Sequence, residues 1–203
     1  MLFRSVFLAA AVGTAAAAPA GAANFNVDPM HTSLVFMVNH LGYSNIFGTF
    51  REFEGEFNFD PAKPTESKVT LTIKTESLDT NERRLQAQGG VRGRDEHLRS
   101  ADFFNTKEFP TMTFVSTKVE SADGKSGKLH GNLTMLGQTK PVVLDVTFNK
   151  MAPHPLPGYN KILTVGFSLR GTIKRSDWGM KTFVPALGDE ITLYLEVEGA
   201  EKK

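Results

Sequence analysis

The stretch Ile191-Thr192-Leu193-Tyr194-Leu195-Glu196-Val197-Glu198 decides the fold class. Its apolar side chains recur at every second position, with Thr, Tyr and Glu between them. In an extended chain successive side chains point to opposite faces, so period two means a strand with one dry face and one wet face. Read outward from there, the same period returns along the chain. Leu163, Val165, Phe167 and Leu169 alternate with Thr164, Gly166, Ser168 and Arg170. Val142, Leu144, Val146 and Phe148 do so with Val143, Asp145 and Thr147, and Leu129, Gly131, Leu133 and Met135 with His130, Asn132 and Thr134. Val69, Leu71 and Ile73, and further back Phe53, Gly55, Phe57 and Phe59, carry the pattern too. Shorter runs lie at 32–39 and 111–120. The spacing predicts about eight strands with one apolar face each, the signature of antiparallel pairing.

Reversal signals sit between the runs. Asp123-Gly124 and Leu136-Gly137-Gln138 read as tight hairpins. Asp60-Pro61-Ala62-Lys63-Pro64 is a longer turn, and 153–158, with three prolines, is a loop. Two places read as helical: a short turn over 41–47, and one or two turns over 95–104, stopped at Phe109-Pro110. Eight one-faced strands pack either as a two-sheet sandwich or as a closed barrel. Closure removes exposed edges, and an eight-stranded barrel has an interior that side chains fill or that holds one small ligand. Periodicity alone leaves both choices open.

Composition narrows the chemistry. The chain has no cysteine, which excludes thiolate nucleophiles, thiolate metal sites and disulfides. Lys and Arg number 23 against 22 Asp and Glu, so no global field draws nucleic acid. Arg4, the apolar run 6–18 and the small residues Ala20-Gly21-Ala22 read as a secretory signal with cleavage after Ala22, leaving 23–203 as one exported domain. No later stretch approaches the length of a membrane-spanning helix. The five histidines show no metal-binding spacing, there is no nucleophile elbow, and the carboxylates fall mostly on outward strand faces, so neither a metal nor a catalytic residue is expected. A metal-dependent hydrolase would require His31, His40 and His97 to converge. Phenylalanine, at 16 residues, dominates the aromatic content, either as packing or as the lining of an apolar pore.

Three stretches carry a resemblance. The first holds His31-Thr32-Ser33, His40-Leu41-Gly42-Tyr43-Ser44 and Gly48-Thr49-Phe50. The second runs from Arg94 through His97-Leu98-Arg99-Ser100-Ala101-Asp102-Phe103-Phe104 to Phe109-Pro110. The third holds Arg175-Ser176-Asp177-Trp178-Gly179-Met180 and then Gly188-Asp189-Glu190. In this order, over about residues 24–199, the chain resembles the YceI-like family. The resemblance implies an all-β, eight-stranded antiparallel lipocalin-like barrel with one or two short helices. It also implies an elongated apolar pore for a polyisoprenoid or similar amphiphile: an isoprenoid quinone, a polyprenyl phosphate or a fatty acid derivative. Family members are periplasmic or secreted, and some occur with cytochrome b561-type partners, for which a quinone-holding redox accessory is the alternative role. Homodimers are a further expectation. No catalytic residue and no resident cofactor come with the family.

On this reading the pore lining is expected from Phe36, Val38, Phe57, Leu71, Phe114, Leu133, Val146, Phe167, Trp178 and Leu193. The entrance or headgroup contacts are expected from His40, Arg94, His97, Arg99 and Asp102. Residues 82–93, with Arg83, Arg84, Arg92 and Gly89-Gly90, look longer than the family pattern. They read as a solvated surface loop or as a lid whose arginines meet an anionic head.

Overall fold

The structure, a computed structural model, describes residues 22–82 and 93–203. The signal segment and Arg83, Arg84, Arg92 and Gly89-Gly90 lie outside the described residues. Eleven strands form one sheet that closes on itself. They are β1 (Ala23–Val27), β2 (Ser33–His40), β3 (Ser44–Phe50), β4 (Phe53–Phe59), β5 (Val69–Lys74), β6 (Leu78–Asp79), β7 (Thr111–Ser121), β8 (Ser126–Met135), β9 (Gln138–Pro153), β10 (Leu163–Lys174) and β11 (Leu187–Glu201). A six-residue helix, α1 (Arg94–Arg99), precedes β7.

The eleven reduce to an eight-stranded closed antiparallel barrel because three strands are interrupted. β2 pairs with β3 and β1 with β4, so β1–β2 and β3–β4 are two bent strands lying side by side. β5 and β6 continue the next one against β4 and β3. β11 closes the ring by pairing with β10 on one side and with both β2 and β1 on the other. Among the described residues only the two-residue β6 is left paired on one side, and closure of the rest suits a chain with no disulfide.

The break between β1 and β2 falls opposite Glu198, and a side chain mends the ladder there. The Thr32 hydroxyl accepts the Glu198 amide at 3.1 Å and donates to the Glu198 carbonyl at 3.3 Å, while the Asp28 amide reaches the same carbonyl at 2.8 Å. Thr32 is buried. Thr32→Val keeps the shape and removes the hydroxyl, and is expected to cost about 1.5 kcal/mol in urea unfolding. A variant as stable as the parent would show that water bridges the gap instead.

The short turn expected over 41–47 is corrected. Only Leu41–Tyr43 turn, and Ser44–Phe50 is strand. Positive φ at Leu41 (57°) and Gly42 (75°) reverses the chain within three residues, releasing the rest to pair with β2. The alternation was hidden because the inward position between Ile46 and Phe50 is Gly48. A Cβ there would lie 2.2 Å from the Phe36 ring, so glycine is what lets that ring lie across the strand.

Bulges complicate the inward face elsewhere. The β7–β8 register slips between Ser116 and Lys118, and the β9–β10 register slips opposite Gly166–Phe167. Each extra residue moves the following side chains to the other face. Phe114 and Val119 therefore both reach the interior from one strand, and so do Val146 and Phe148 on β9 with Met151 beyond the slip in the apolar cluster.

Candidate functional site

The barrel is hollow. A cavity of about 310 Å³ runs inside it, walled almost wholly by apolar side chains. Leu71, Leu133, Val146, Phe167 and Leu193 point inward yet stay only half-buried, because they pack against the buried cluster on one side and face this space on the other. Close packing is found toward the two ends. At one, Phe50, Leu78, Phe103, Phe104, Met112, Met135 and Met180 are buried together. At the other, Phe25 stacks on Phe57 with ring centroids 5.3 Å apart, and Phe59 meets Phe148 at 5.1 Å and Phe167 at 5.0 Å. The arrangement is a dry tube with aromatic ends, suited to an extended apolar chain and ill-suited to acid–base chemistry.

Nine of the ten residues expected to line a pore do line it: Phe36, Val38, Phe57, Leu71, Phe114, Leu133, Val146, Phe167 and Leu193. Trp178 is the exception and is corrected. It is 2% exposed and lies behind the wall, its indole N–H donating to the Leu133 carbonyl at 3.1 Å. An indole N–H needs a buried acceptor, and this one pins the Arg175–Trp178 turn to β8.

The five residues expected at an entrance sit at the end capped by α1 or, for His40, at the last residue of β2. None of them lines the cavity. Arg94 holds Thr80 through the hydroxyl at 2.6 Å and the carbonyl at 3.0 Å. Arg99 donates to the carbonyls of Glu76, at 2.9 Å, and Leu78. His97 meets Asp102 at 2.8 Å and lies edge-on to Phe103. These polar groups fasten the cap to the barrel, and what the cap turns inward is Leu98, Phe103 and Phe104.

Arg175 lies on the cavity wall at this same end, 3% exposed. Its three nitrogens donate to the carbonyls of Gly188 (2.9 Å), Met180 (2.9 Å) and Leu187 (3.0 Å). Burial pushes its pKa down, and the nearby Asp189 carboxylate opposes that. Asp189 is itself held by the Ser176 amide and hydroxyl at 2.9 and 2.7 Å, which outweigh burial and keep its carboxyl below the ordinary value. A planar fork of donors matches three converging carbonyls, which explains an arginine at the start of Arg175-Ser176-Asp177-Trp178.

The histidines do not converge. His31 precedes β2 and His40 ends it, so β2's length, roughly 25 Å, lies between them. His31 instead stands beside Asp28, 2.7 Å from its carboxylate, with Glu198 nearby. The hydrogen bond that His31 donates to the Asp28 carboxylate raises the His31 pKa against a small burial effect. Asp28 is lowered, because its bonds to His31 and the Met30 amide outweigh its burial.

The end opposite the cap is polar at one side. Asn58, Ser67, Glu120, Ser121, Lys125 and Ser126 reach the cavity there, between the β7–β8 hairpin and the Pro64–Glu66 turn. No sequence pattern marked them, since each lies in a turn or at a strand's end. The hairpin is shaped by Asp123, whose carboxylate accepts the amides of Ser126 at 2.7 Å and Lys125 at 2.8 Å, and the Ser126 hydroxyl at 2.8 Å. Those bonds, the Ser126 amide first, hold its pKa at about 2. With a folded value below the ordinary 3.8, its contribution is complete above about pH 4 and is lost as the pH falls through about 2. The Ser126 amide resonance is expected to titrate with its midpoint near 2. A midpoint near 4 would mean that the carboxylate does not cap the turn.

Comparison with known proteins places the barrel. Protein YceI of Escherichia coli O157:H7 is 39% identical over 189 residues, covering 92% of this chain and 92% of that one. The crystal structure of the Campylobacter jejuni YCEI protein superposes with a TM-score of 0.68 at 37% identity, covering 81% of this chain and 90% of that one. A polyisoprenoid binding domain from Saccharophagus degradans shares the fold, with a TM-score of 0.56 at 12% identity over 88% of this chain and 98% of that one. The YceI-like domain is matched over residues 25–199, nearly the whole barrel, and the chain belongs to the YceI-like family.

Proposed function

We propose that the protein binds a long apolar lipid, an isoprenoid or a related amphiphile, inside its barrel and carries or sequesters it in the periplasm after export. The observation that carries this reading is the continuous apolar cavity whose inward side chains are left only half-buried. An apolar tail costs about 0.8 kcal/mol per CH₂ in water. A dry tube replaces the bilayer as solvent for that tail, so exchange with a membrane is close to neutral while escape into water is not. That a domain of this fold in another protein binds a polyisoprenoid supports the reading, as do the leader-like first 22 residues.

The test is organic extraction and mass spectrometry of the protein purified from its own host, with fractionation and N-terminal sequencing of the same sample. A stoichiometric prenyl species and a periplasmic chain beginning at Ala23 are expected. A quinone in the extract would point toward a redox role beside a membrane cytochrome. An extract without lipid, from a protein that also fails to take up a polyprenol from vesicles, would sink the carrier reading.

A further inference from the structure

Taking the lipid-carrier reading as its basis, we infer that the cavity loads its ligand tail first, from the end opposite α1, and holds a singly charged acceptor head, a carboxylate, between Ser67 and Lys125.

Among the described residues, the capped end gives a head nothing to bind. Leu98, Phe103, Phe104 and Met180 form its inner surface. Each nitrogen of Arg175, the one buried charge there among the described residues, is already hydrogen-bonded to a main-chain carbonyl. A polar head placed there would give up its water for a lipid-like wall.

The other end differs in one atom above all. Ser67 lines the cavity, and its hydroxyl oxygen is buried with no hydrogen-bond partner among the described residues. Buried polar groups are paired in native proteins, so this oxygen takes its partner from outside the chain, a water or the head of a ligand. Its neighbours at the mouth are satisfied by the protein itself. Asn58 accepts the Lys68 amide at 2.8 Å, the Ser121 hydroxyl donates to the Ser126 carbonyl at 2.8 Å, and the Ser126 hydroxyl donates to Asp123.

Charge sets the class of head. Around the mouth Glu120 pairs with Lys118 at 2.5 Å and lies 3.4 Å from His130, and Lys63 pairs with Glu66 at 3.4 Å. Asp123 faces its own turn, and Asp60 accepts the Ala62 amide of its own loop at 2.9 Å. The Lys125 ammonium is within ion-pair distance of no carboxylate among the described residues, and Lys125 lines the cavity. One hydroxyl donor and one ammonium suit a head with a single negative charge and acceptor oxygens.

The chain carries its own reporter of orientation. Trp178 is its single tryptophan and lies against the wall at the capped end. The experiment uses the delipidated mature protein with two stearate probes, one carrying a nitroxide near the methyl end and one near the carboxylate. Tail-first loading predicts strong quenching of Trp178 fluorescence by the first and weak quenching by the second. Ser67→Ala and Lys125→Gln should each weaken stearate binding about tenfold, the loss of one hydrogen bond to a charged group. Uptake of squalane, which has no head, should be unchanged in both, and His97→Gln at the capped end should bind stearate as the parent does. The reverse order of quenching, or stearate affinity indifferent to both mouth substitutions, overturns the inference while the carrier reading stands. Failure of both stearate and squalane to bind overturns the carrier reading itself.

Discussion

Arg175→Ala is expected to destabilise the protein by about 4 kcal/mol, because three buried carbonyls lose their donors together. For a domain of this size that is a fall of roughly 10 °C in Tm. The three carbonyls, of Met180, Leu187 and Gly188, belong to the segment that leads from the Arg175–Trp178 turn into β11. With the guanidinium gone, the Ser176 bonds to Asp189 are left to hold that segment. Arg175→Lys should recover less than half of the loss, since one ammonium on a flexible stem cannot reach three carbonyls in a plane. Urea unfolding of the three proteins measures both effects. A loss under about 1 kcal/mol would mean that water takes the place of the fork, and that the cap is held by α1 and its own bonds.

The second large effect concerns the void itself. Leu193 points into the middle of the cavity, paired in register with Gly171 on one side and Phe36 on the other. Leu193→Trp should fill space that a ligand tail needs. Lipid occupancy is expected to fall at least tenfold. Stability should change by less than about 1.5 kcal/mol, because the added ring enters a void instead of a packed core. Val143→Trp on the outer face, where Val143 is 43% exposed, serves as the control and should leave occupancy unchanged. Retention of full occupancy by Leu193→Trp would show that the tail does not pass the barrel's middle.

How far the site could be read in advance depended on the kind of residue. Phe36, Leu71, Leu133 and Leu193 were legible because period two assigns a face, and a face in a closed barrel is either inside or outside. Trp178 was misplaced because it follows a strand in a turn, where alternation says nothing about direction. Arg94, Arg99 and His97 drew attention as polar residues in a recognisable motif. Their partners, the Thr80, Glu76 and Leu78 main chain and the Asp102 carboxylate, depend on how α1 folds back over the barrel end. Ser67 and Lys125 were invisible for the opposite reason. Each is an ordinary loop residue until two loops distant in sequence meet at one mouth.

The sequence by itself determined the strand character of the chain, the inward face of most strands, the hairpin positions at Asp123-Gly124 and Leu136-Gly137, and, through its motifs, the family. All of these are local: they rest on side-chain alternation, on turn-forming residues and on short ordered signatures. Only the tertiary structure decided that the sheet closes, that two bulges let Val119 and Met151 join the interior, that the interior is hollow, and which end α1 lies over. Those depend on pairings such as Phe25 with Glu201 and Leu193 with Phe36, between the two ends of the chain. A hollow core leaves no mark in the pattern either, since a leucine facing a void and a leucine facing another leucine occupy the same place in the alternation.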